Sequence, residues 1–163
     1  MPTRTELLQA MPVFGAIGDE ALAFLLARSQ ARHVGAGGWF FREGDAADAM
    51  YVLERGRVEV IKHWQSREFV LYAFAAGDCF GEMALLDLAP RSASVRAVED
   101  CHAIELGAAA LYELCKHDAE QFALIQMNIG REVCRRLRAT DDALFRASMG
   151  ERDALQGPWP RAA

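Results

Sequence analysis

The middle of the sequence consists of short extended runs separated by glycine turns, and this pattern restricts the possible fold more than any other feature. The runs are residues 39–42, 50–54, 57–63, 69–74, 92–98 and 101–106. Most are separated by turn signals, namely 35–38, 43–45, 55–57 and 76–78. Such spacing is typical of antiparallel sandwiches and jelly rolls. The sequence therefore predicts a mainly β fold, an antiparallel β-roll or jelly roll (double-stranded β-helix) with flanking helices.

Helical patterns flank this region on both sides. Residues 5–30 suit two short helices, separated by a break at Pro12 and residues 15–18, with Asp19 as the expected cap of the second. From Gly107 to about residue 148 the period is helical, without proline, and predicts one long helix or two in series. The expected organisation is a single domain with N-terminal helices (1–30), a β-roll (31–106), a C-terminal helix (107–148) and a flexible tail (149–163).

The C-terminal helix carries an apolar stripe. Its members recur every three or four positions: Phe122, Ile125, Ile129, Val133, Leu137 and Leu144. One stripe of this length is more than a small barrel is expected to cover, so we expect a homodimer through this helix. The alternative is that the stripe packs on its own barrel.

Composition and charge exclude several functional classes. The formal charge of −5 over 163 residues disfavours direct nucleic-acid binding. Four arginines cluster near residue 135 but fall on different sides of the helix, which indicates a solvated face with salt-bridge partners: Arg131, Arg135, Arg136 and Arg138. No apolar stretch approaches the roughly 18 residues of a membrane span. Arg4 and Glu6 interrupt the start where a secretory signal would be apolar, so we expect a cytoplasmic protein without membrane association.

The titratable residues do not form a recognisable catalytic or metal site. The cysteines lack a Cys-x-x-Cys pair, and each histidine is isolated from other candidate ligands: Cys79, Cys101, Cys115 and Cys134, with His33, His63, His102 and His117. We therefore expect no catalytic residues, no metal, no cofactor and no enzymatic activity.

The segment 80–97 is too long for an ordinary hairpin connection of two to five residues. Gly81 allows a close approach of the backbone to a ligand, and residues 82–86 suit a single helical turn with free N–H groups. The guanidinium of Arg91 can donate two hydrogen bonds to phosphate oxygens. Glu82 would be unfavourable beside a bare phosphate, whereas a carboxylate accepts well from a hydroxyl. A phosphate joined to a sugar accounts for both charges, and a nucleotide satisfies that requirement.

The run Phe-Gly-Glu-Met-Ala-Leu-Leu at 80–86, followed by Arg-Ser-Ala-Ser-Val-Arg-Ala at 91–97, resembles the phosphate-binding cassette of the cyclic-nucleotide-binding family. The resemblance extends from Leu7 to about Leu144, and this region is similar to the sensor domain of catabolite-activator-type regulators. It implies that Arg91 pairs with the cyclic phosphate and that Glu82 accepts from the ribose 2′-hydroxyl. Backbone N–H groups complete the implied cradle, those of Gly81, Met83 and Ala84 and those near Ser92 and Ala93.

The base is less well specified by the sequence. The resemblance places polar contacts to adenine near Thr140 and Asp141, but Thr140 could equally bond back to the preceding helical turn. Asp141 departs from the neutral hydroxyl of the activators and could accept from the two N–H donors of guanine. Ser92 suits binders of either nucleotide. We expect cyclic AMP, with cyclic GMP as the second choice.

The expected role is a regulatory sensor that signals through its C-terminal helix to a dimer or to an unidentified effector protein. The alternative is a scaffold module that keeps the roll but has no ligand. About twenty residues follow Asp141, too few for a helix-turn-helix reader of three packed helices, so we do not expect a transcription factor of the usual kind.

Overall fold

The structure is a computed structural model that describes residues 3–150. The predicted tail therefore lies, beyond Gly150, outside the described residues. The strands form two four-stranded antiparallel sheets. Their bounds are β1 Gln30–Val34, β2 Trp39–Phe41, β3 Ala49–Arg55, β4 Arg57–Trp64, β5 Arg67–Ala75, β6 Cys79–Phe80, β7 Ser94–Ala97 and β8 Cys101–Gly107. Every pair is antiparallel, which confirms the predicted roll with flanking helices.

One sheet has the order β1-β8-β3-β6 and is called the inner sheet; the other has the order β2-β7-β4-β5 and is called the outer sheet. Successive side chains of a strand point to opposite faces. In β3, Tyr51 and Leu53 therefore pack between the two sheets, whereas Met50 and Val52 pack against the helices. Strand β3 of the inner sheet is thus buried on both faces, and it connects the roll to the helical layer.

The helices are α1 Arg4–Gln9, α2 Asp19–Leu26, α3 Ala84–Asp87, α4 Ala108–His117 and α5 Ala119–Ser148, with a 3₁₀ turn at Pro12–Phe14. A capping box begins α1, in which Thr3 and Glu6 bond to each other's backbone N–H groups. The cap of α2 is Gly18 rather than Asp19, which is the first helical residue. Asp19 instead accepts a hydrogen bond from Gln9.

The long C-terminal helical segment is two helices in series, α4 and α5. Asp118 separates them and caps α5 by accepting from the N–H of Gln121 at 3.1 Å. Within residues 3–150, no helix combines the length and the apolar character that a bilayer crossing requires.

The apolar stripe of α5 is divided rather than continuous. Its first half, Phe122 to Val133, packs on the chain's own core, as the second of the two sequence alternatives expects for that half. Leu137 and Leu144 are 58% and 59% exposed. Beyond Val133, the residue of α5 that faces the rest of the domain is Arg136 rather than Leu137.

Candidate functional site

The segment 80–97, called the cassette from here on, connects β6 of the inner sheet to β7 of the outer sheet. This crossing explains its length, since a two-residue hairpin cannot connect strands of different sheets. The turn between β2 and β3 holds the cassette in place. Gly44 N–H donates to the carbonyl oxygen of Arg91, and Arg91 N–H donates to that of Asp45, both at 2.9 Å. The Glu43 N–H donates to the Ser94 hydroxyl oxygen at 2.9 Å.

The Arg91 side chain is buried, with only 6% of the residue exposed. Its Nη2 donates to the carbonyl oxygen of Ala49 at 2.7 Å, and its Nη1 donates to that of Gly81 at 3.1 Å. The guanidinium lies 4.0 Å from the ring centroid of Phe41. Burial lowers the pKa of Arg91, although nearby acidic groups oppose that effect. Its Nε is buried and has no hydrogen-bond partner in the part of the chain that the structure describes.

Gly81 has a backbone conformation that side chains rarely adopt, with φ of +79°. A Cβ atom at this position would lie 2.7 Å from Nη1 of Arg91. From the sequence, we expected Gly81 to allow a ligand to approach the backbone closely. In the structure, the group that approaches the backbone is the guanidinium of Arg91, so Gly81 positions the phosphate-binding candidate.

Glu82 is 1% exposed. Its Oε1 forms an ion pair and a hydrogen bond with Nη1 of Arg136, while its Oε2 is buried without a hydrogen-bond partner among residues 3–150. Burial raises the pKa of Glu82, and the charge of Arg136 opposes that increase. An ionised carboxyl oxygen without a donor is costly to bury, so Oε2 is a ready acceptor for a hydroxyl.

Arg136 contacts the cassette, although the sequence predicted that it lies on a solvated face. Its side chain is 18% exposed, donates through Nη2 to the carbonyl oxygen of Cys79 at 3.1 Å, and lies 4.8 Å from the Phe74 ring centroid. Burial favours a lower pKa, but the charge of Glu82 leads a set of interactions that raise the pKa of Arg136. Its spacing could have revealed it, because Ile129, Val133 and Arg136 follow at intervals of four and three residues.

The other predicted cradle residues lie on two stretches of the cassette. The helical turn begins at Glu82, whose carbonyl oxygen accepts from Leu85 N–H at 3.0 Å, and α3 follows. Met83 is exposed and Ala84 is buried. On the second stretch, Ser92 is exposed and Ala93 is buried. The N–H groups at the start of such a turn precede its first internal bond and are free for an anion.

The predicted base contacts lie on α5, one turn beyond the Arg136–Glu82 contact. Both Thr140 and Asp141 are exposed. The Thr140 hydroxyl donates to the carbonyl oxygen of Arg136 at 2.9 Å, which is the alternative that the sequence left open. The structure thus brings Gly81, Glu82 and Arg91 together directly, and it attaches α5 to them through Arg136.

A buried guanidinium, that of Arg91, and a buried carboxylate, that of Glu82, thus lie on one cassette. The model of the cyclic nucleotide-binding domain family matches residues 31–118. The chain belongs to this family, as the resemblance of its cassette indicated.

Individual relatives agree with this assignment. The cyclic AMP receptor protein of Thermus thermophilus is 31% identical over 82% of this chain and 61% of its own length. The structure of the Thermus thermophilus catabolite activator protein matches with a TM-score of 0.73 and 32% identity, over 84% of this chain and 63% of that one. The regulatory domain of Toxoplasma gondii PKA, solved with cAMP, matches with a TM-score of 0.64 and 29% identity, over 67% of this chain and 42% of that one.

The chain thus spans about three fifths of the curated receptor protein that it matches. It is a cyclic nucleotide-binding regulatory domain like those of the receptor protein and of PKA regulatory subunits.

Proposed function

We propose that this chain is a sensor of cyclic AMP that signals through α5. The observation that carries the proposal is that two of the three buried side-chain polar atoms without a hydrogen-bond partner in the described residues lie on the cassette, Oε2 of Glu82 and Nε of Arg91. An acceptor and a donor left unsatisfied on one cassette fit a ligand with a hydroxyl and an anionic oxygen.

In this proposal, Arg91 binds the cyclic phosphate. A guanidinium has five N–H donors, and two of them serve the carbonyl oxygens of Gly81 and Ala49, so three remain for phosphate oxygens. Glu82 accepts from the ribose 2′-hydroxyl through Oε2. The remaining phosphate contacts come from backbone N–H groups on the two cassette stretches, those of Gly81, Met83 and Ala84 and those of Ser92 and Ala93.

Cyclic AMP is the first ligand to test, because relatives that the chain matches are named for it and the base-side residues are compatible with adenine. Because the Thr140 hydroxyl donates its hydrogen to the helix backbone, it can serve a ligand only as an acceptor. The adenine amino group is a donor and fits this role. Asp141 is also an acceptor and remains compatible with the N–H donors of guanine, so cyclic GMP is the second ligand to test.

The signal passes from the cassette to α5 through the ion pair of Glu82 with Arg136. A ligand hydroxyl that bonds to Oε2 of Glu82 constrains a carboxylate whose Oε1 is bonded to Arg136 of α5. It thereby shifts the equilibrium between two positions of this helix, by an amount set by its difference in affinity for the two states. Hydrogen exchange of residues 111–144 with and without cyclic AMP tests this step. We expect altered protection, and identical protection at saturation would contradict it.

A homodimer through α5 is part of the proposal. The exposed residues Met127, Cys134, Leu137 and Leu144 occur at intervals of seven, three and seven, as the a and d positions of a two-stranded coiled coil do. We call this set the α5 seam. In a parallel pair, the a position of one copy faces the same position of the other, so two copies of Cys134 would lie side by side.

The natural cysteine therefore provides a test of the dimer. Mild oxidation is expected to cross-link the wild-type chain and the matched variant Cys115→Ser, which changes a half-buried thiol of α4, but not Cys134→Ser. Under reducing conditions, sedimentation should show a dimer for all three proteins. A monomer at micromolar concentration would contradict the dimer.

We propose that α5 passes the signal to a further protein rather than to a catalytic centre. The proposed compartment is the cytoplasm. All four cysteines lie in the described residues as free thiols, which fits a reducing compartment. The proposal includes no enzymatic activity, metal or cofactor.

A thermal-shift series with cyclic AMP, cyclic GMP and AMP tests the sensor against the scaffold alternative. A ligand of the native state at a hundredfold excess over its dissociation constant adds about 2.7 kcal/mol of stability. We expect the largest shift with cyclic AMP and a smaller one with cyclic GMP. No shift with any nucleotide would leave the scaffold as the function.

A further inference from the structure

A third charged side chain, that of Glu132 on α5, contacts the ion pair between the cassette and the helix. We infer that Glu132 is a positioning residue for nucleotide binding, which holds the Arg136 guanidinium so that Glu82 presents Oε2 to the ligand. This inference rests on the proposed function and adds to it a residue that does not touch the ligand.

The geometry around Arg136 gives each part of the guanidinium a separate oxygen partner. Nη1 donates a hydrogen bond to Oε1 of Glu82, and Nη2 donates to the carbonyl oxygen of Cys79 at 3.1 Å. Nε lies 3.3 Å from Oε1 of Glu132, in an ion pair without a hydrogen bond. The first two partners belong to the β6–cassette region, and Glu132 lies one helical turn before Arg136. Glu132 therefore fixes the Nε end, while the two Nη atoms reach across to the cassette.

Glu132 is placed to exert this hold. Its side chain is 17% exposed, compared with 18% for Arg136, so water screens the pair only partly. A glutamate four residues before an arginine is the favourable order for a pair on one helix face. Its other oxygen, Oε2, lies 2.6 Å from Nη2 of Arg135, in an ion pair whose angles are not those of a hydrogen bond. Arg135 is half exposed and turned toward solvent, so it orients Glu132 from outside.

An arginine side chain has several rotatable bonds, and a guanidinium with one end free can rotate away from a single carboxylate. Without Glu132, Arg136 would keep its two cassette contacts only at the cost of ordering its own side chain. Glu82 would then rotate more freely, and its Oε2 would be less well directed at a hydroxyl. The expected consequence is weaker nucleotide binding that acts entirely through Glu82.

A double-mutant cycle on cyclic AMP affinity tests this inference. The proteins are the wild type, Glu132→Gln, Glu82→Gln and the double variant, with Glu120→Gln as the matched control. Glu120 is an exposed carboxylate in the first turn of the same helix, about 18 Å from Glu132 along the axis. Glutamine keeps the size of the side chain, removes the charge and replaces one acceptor oxygen by an NH₂ donor, and thermal unfolding verifies that every variant folds.

We expect Glu132→Gln to weaken binding about tenfold in the wild-type background, and to change it less than about twofold when Glu82 is already glutamine. Glu120→Gln should bind like the wild type. Equal losses in both backgrounds, or wild-type affinity for Glu132→Gln, would overturn the positioning role while leaving the sensor intact. Absence of cyclic nucleotide binding by the wild type itself would overturn the sensor and this inference together.

A second measurement does not depend on ligand. The NMR signal of the Arg136 side-chain Nε–H should change its chemical shift in ligand-free Glu132→Ala, because the carboxylate beside it is removed, and should keep its wild-type shift in Glu120→Gln. An unchanged shift in Glu132→Ala would contradict the inference.

Discussion

Replacing Gly81 by alanine is expected to damage the site through Arg91, and the structure allows the cost to be divided into two parts. The first is the backbone conformation, since φ is +79° and an L-residue there costs about 1–2 kcal/mol. The second is the contact of the new Cβ with Nη1 of Arg91, 2.7 Å away. Relieving it moves the guanidinium and breaks at least one charged hydrogen bond, for about 1.5–3 kcal/mol. The sum is about 2.5–5 kcal/mol of unfolding free energy.

The chain contains a matched control for the backbone part. Gly77 has φ of +91°, and a Cβ atom built there meets nothing within 4 Å, so Gly77→Ala carries the strain without the contact. Urea unfolding should therefore show a loss of about 1–2 kcal/mol for Gly77→Ala and a clearly larger loss for Gly81→Ala. In an Arg91→Ala background, Gly81→Ala should cost no more than Gly77→Ala. Equal costs for the two glycine variants in the wild-type background would refute the reasoning.

Three further predictions concern stability. Burial raises the pKa of Glu82 above its ordinary value of 4.5, so folding favours the protonated carboxyl. The resulting contribution to the free energy of unfolding is complete below pH 4.5 and is lost as the pH rises through the raised pKa. The wild type should therefore lose stability relative to Glu82→Gln in urea unfolding as the pH rises above 4.5, and a constant difference would contradict this. Leu88 is 79% exposed with φ of +54°, so Leu88→Gly should raise stability in the same assay by about 0.5–1 kcal/mol, and a loss would be inconsistent with strain there. The Asn128 amide donates to the Gly15 carbonyl oxygen at 2.9 Å, so Asn128→Ala should lower the unfolding free energy by about 1–3 kcal/mol; an unchanged value would show that the bond is not needed.

The roll and the cassette could be predicted because their signals are local. Alternating apolar residues and glycine turns lie within a few positions of each other, and the charged residues of the cassette are nine positions apart. The edge strands β1 and β6 were missed. All residues of β1 except half-buried Val34 are exposed, and β6 has only two residues, so neither gives an alternating pattern.

Its spacing places Arg136 on the same helix face as Ile129 and Val133, but its contact with Glu82 could not be predicted because the two residues are 54 positions apart. Charge patterning alone makes Arg136 one of four arginines on a solvated helix. Only the packing of Val133 on the core determines which face of α5 looks at the cassette, and that face then includes Arg136 and excludes Leu137.

Direct titration of cyclic AMP into wild-type protein and Arg91→Lys tests the central claim. Lysine keeps the charge but lacks the planar fork that reaches both carbonyl oxygens and a phosphate. Arg96→Lys is the matched control, because Arg96 pairs with Glu59 and Glu68 on the outer sheet. We expect saturable binding to the wild type and to Arg96→Lys, and affinity at least about tenfold weaker for Arg91→Lys. Equal affinity of Arg91→Lys and wild type, or no binding by the wild type, would contradict the account.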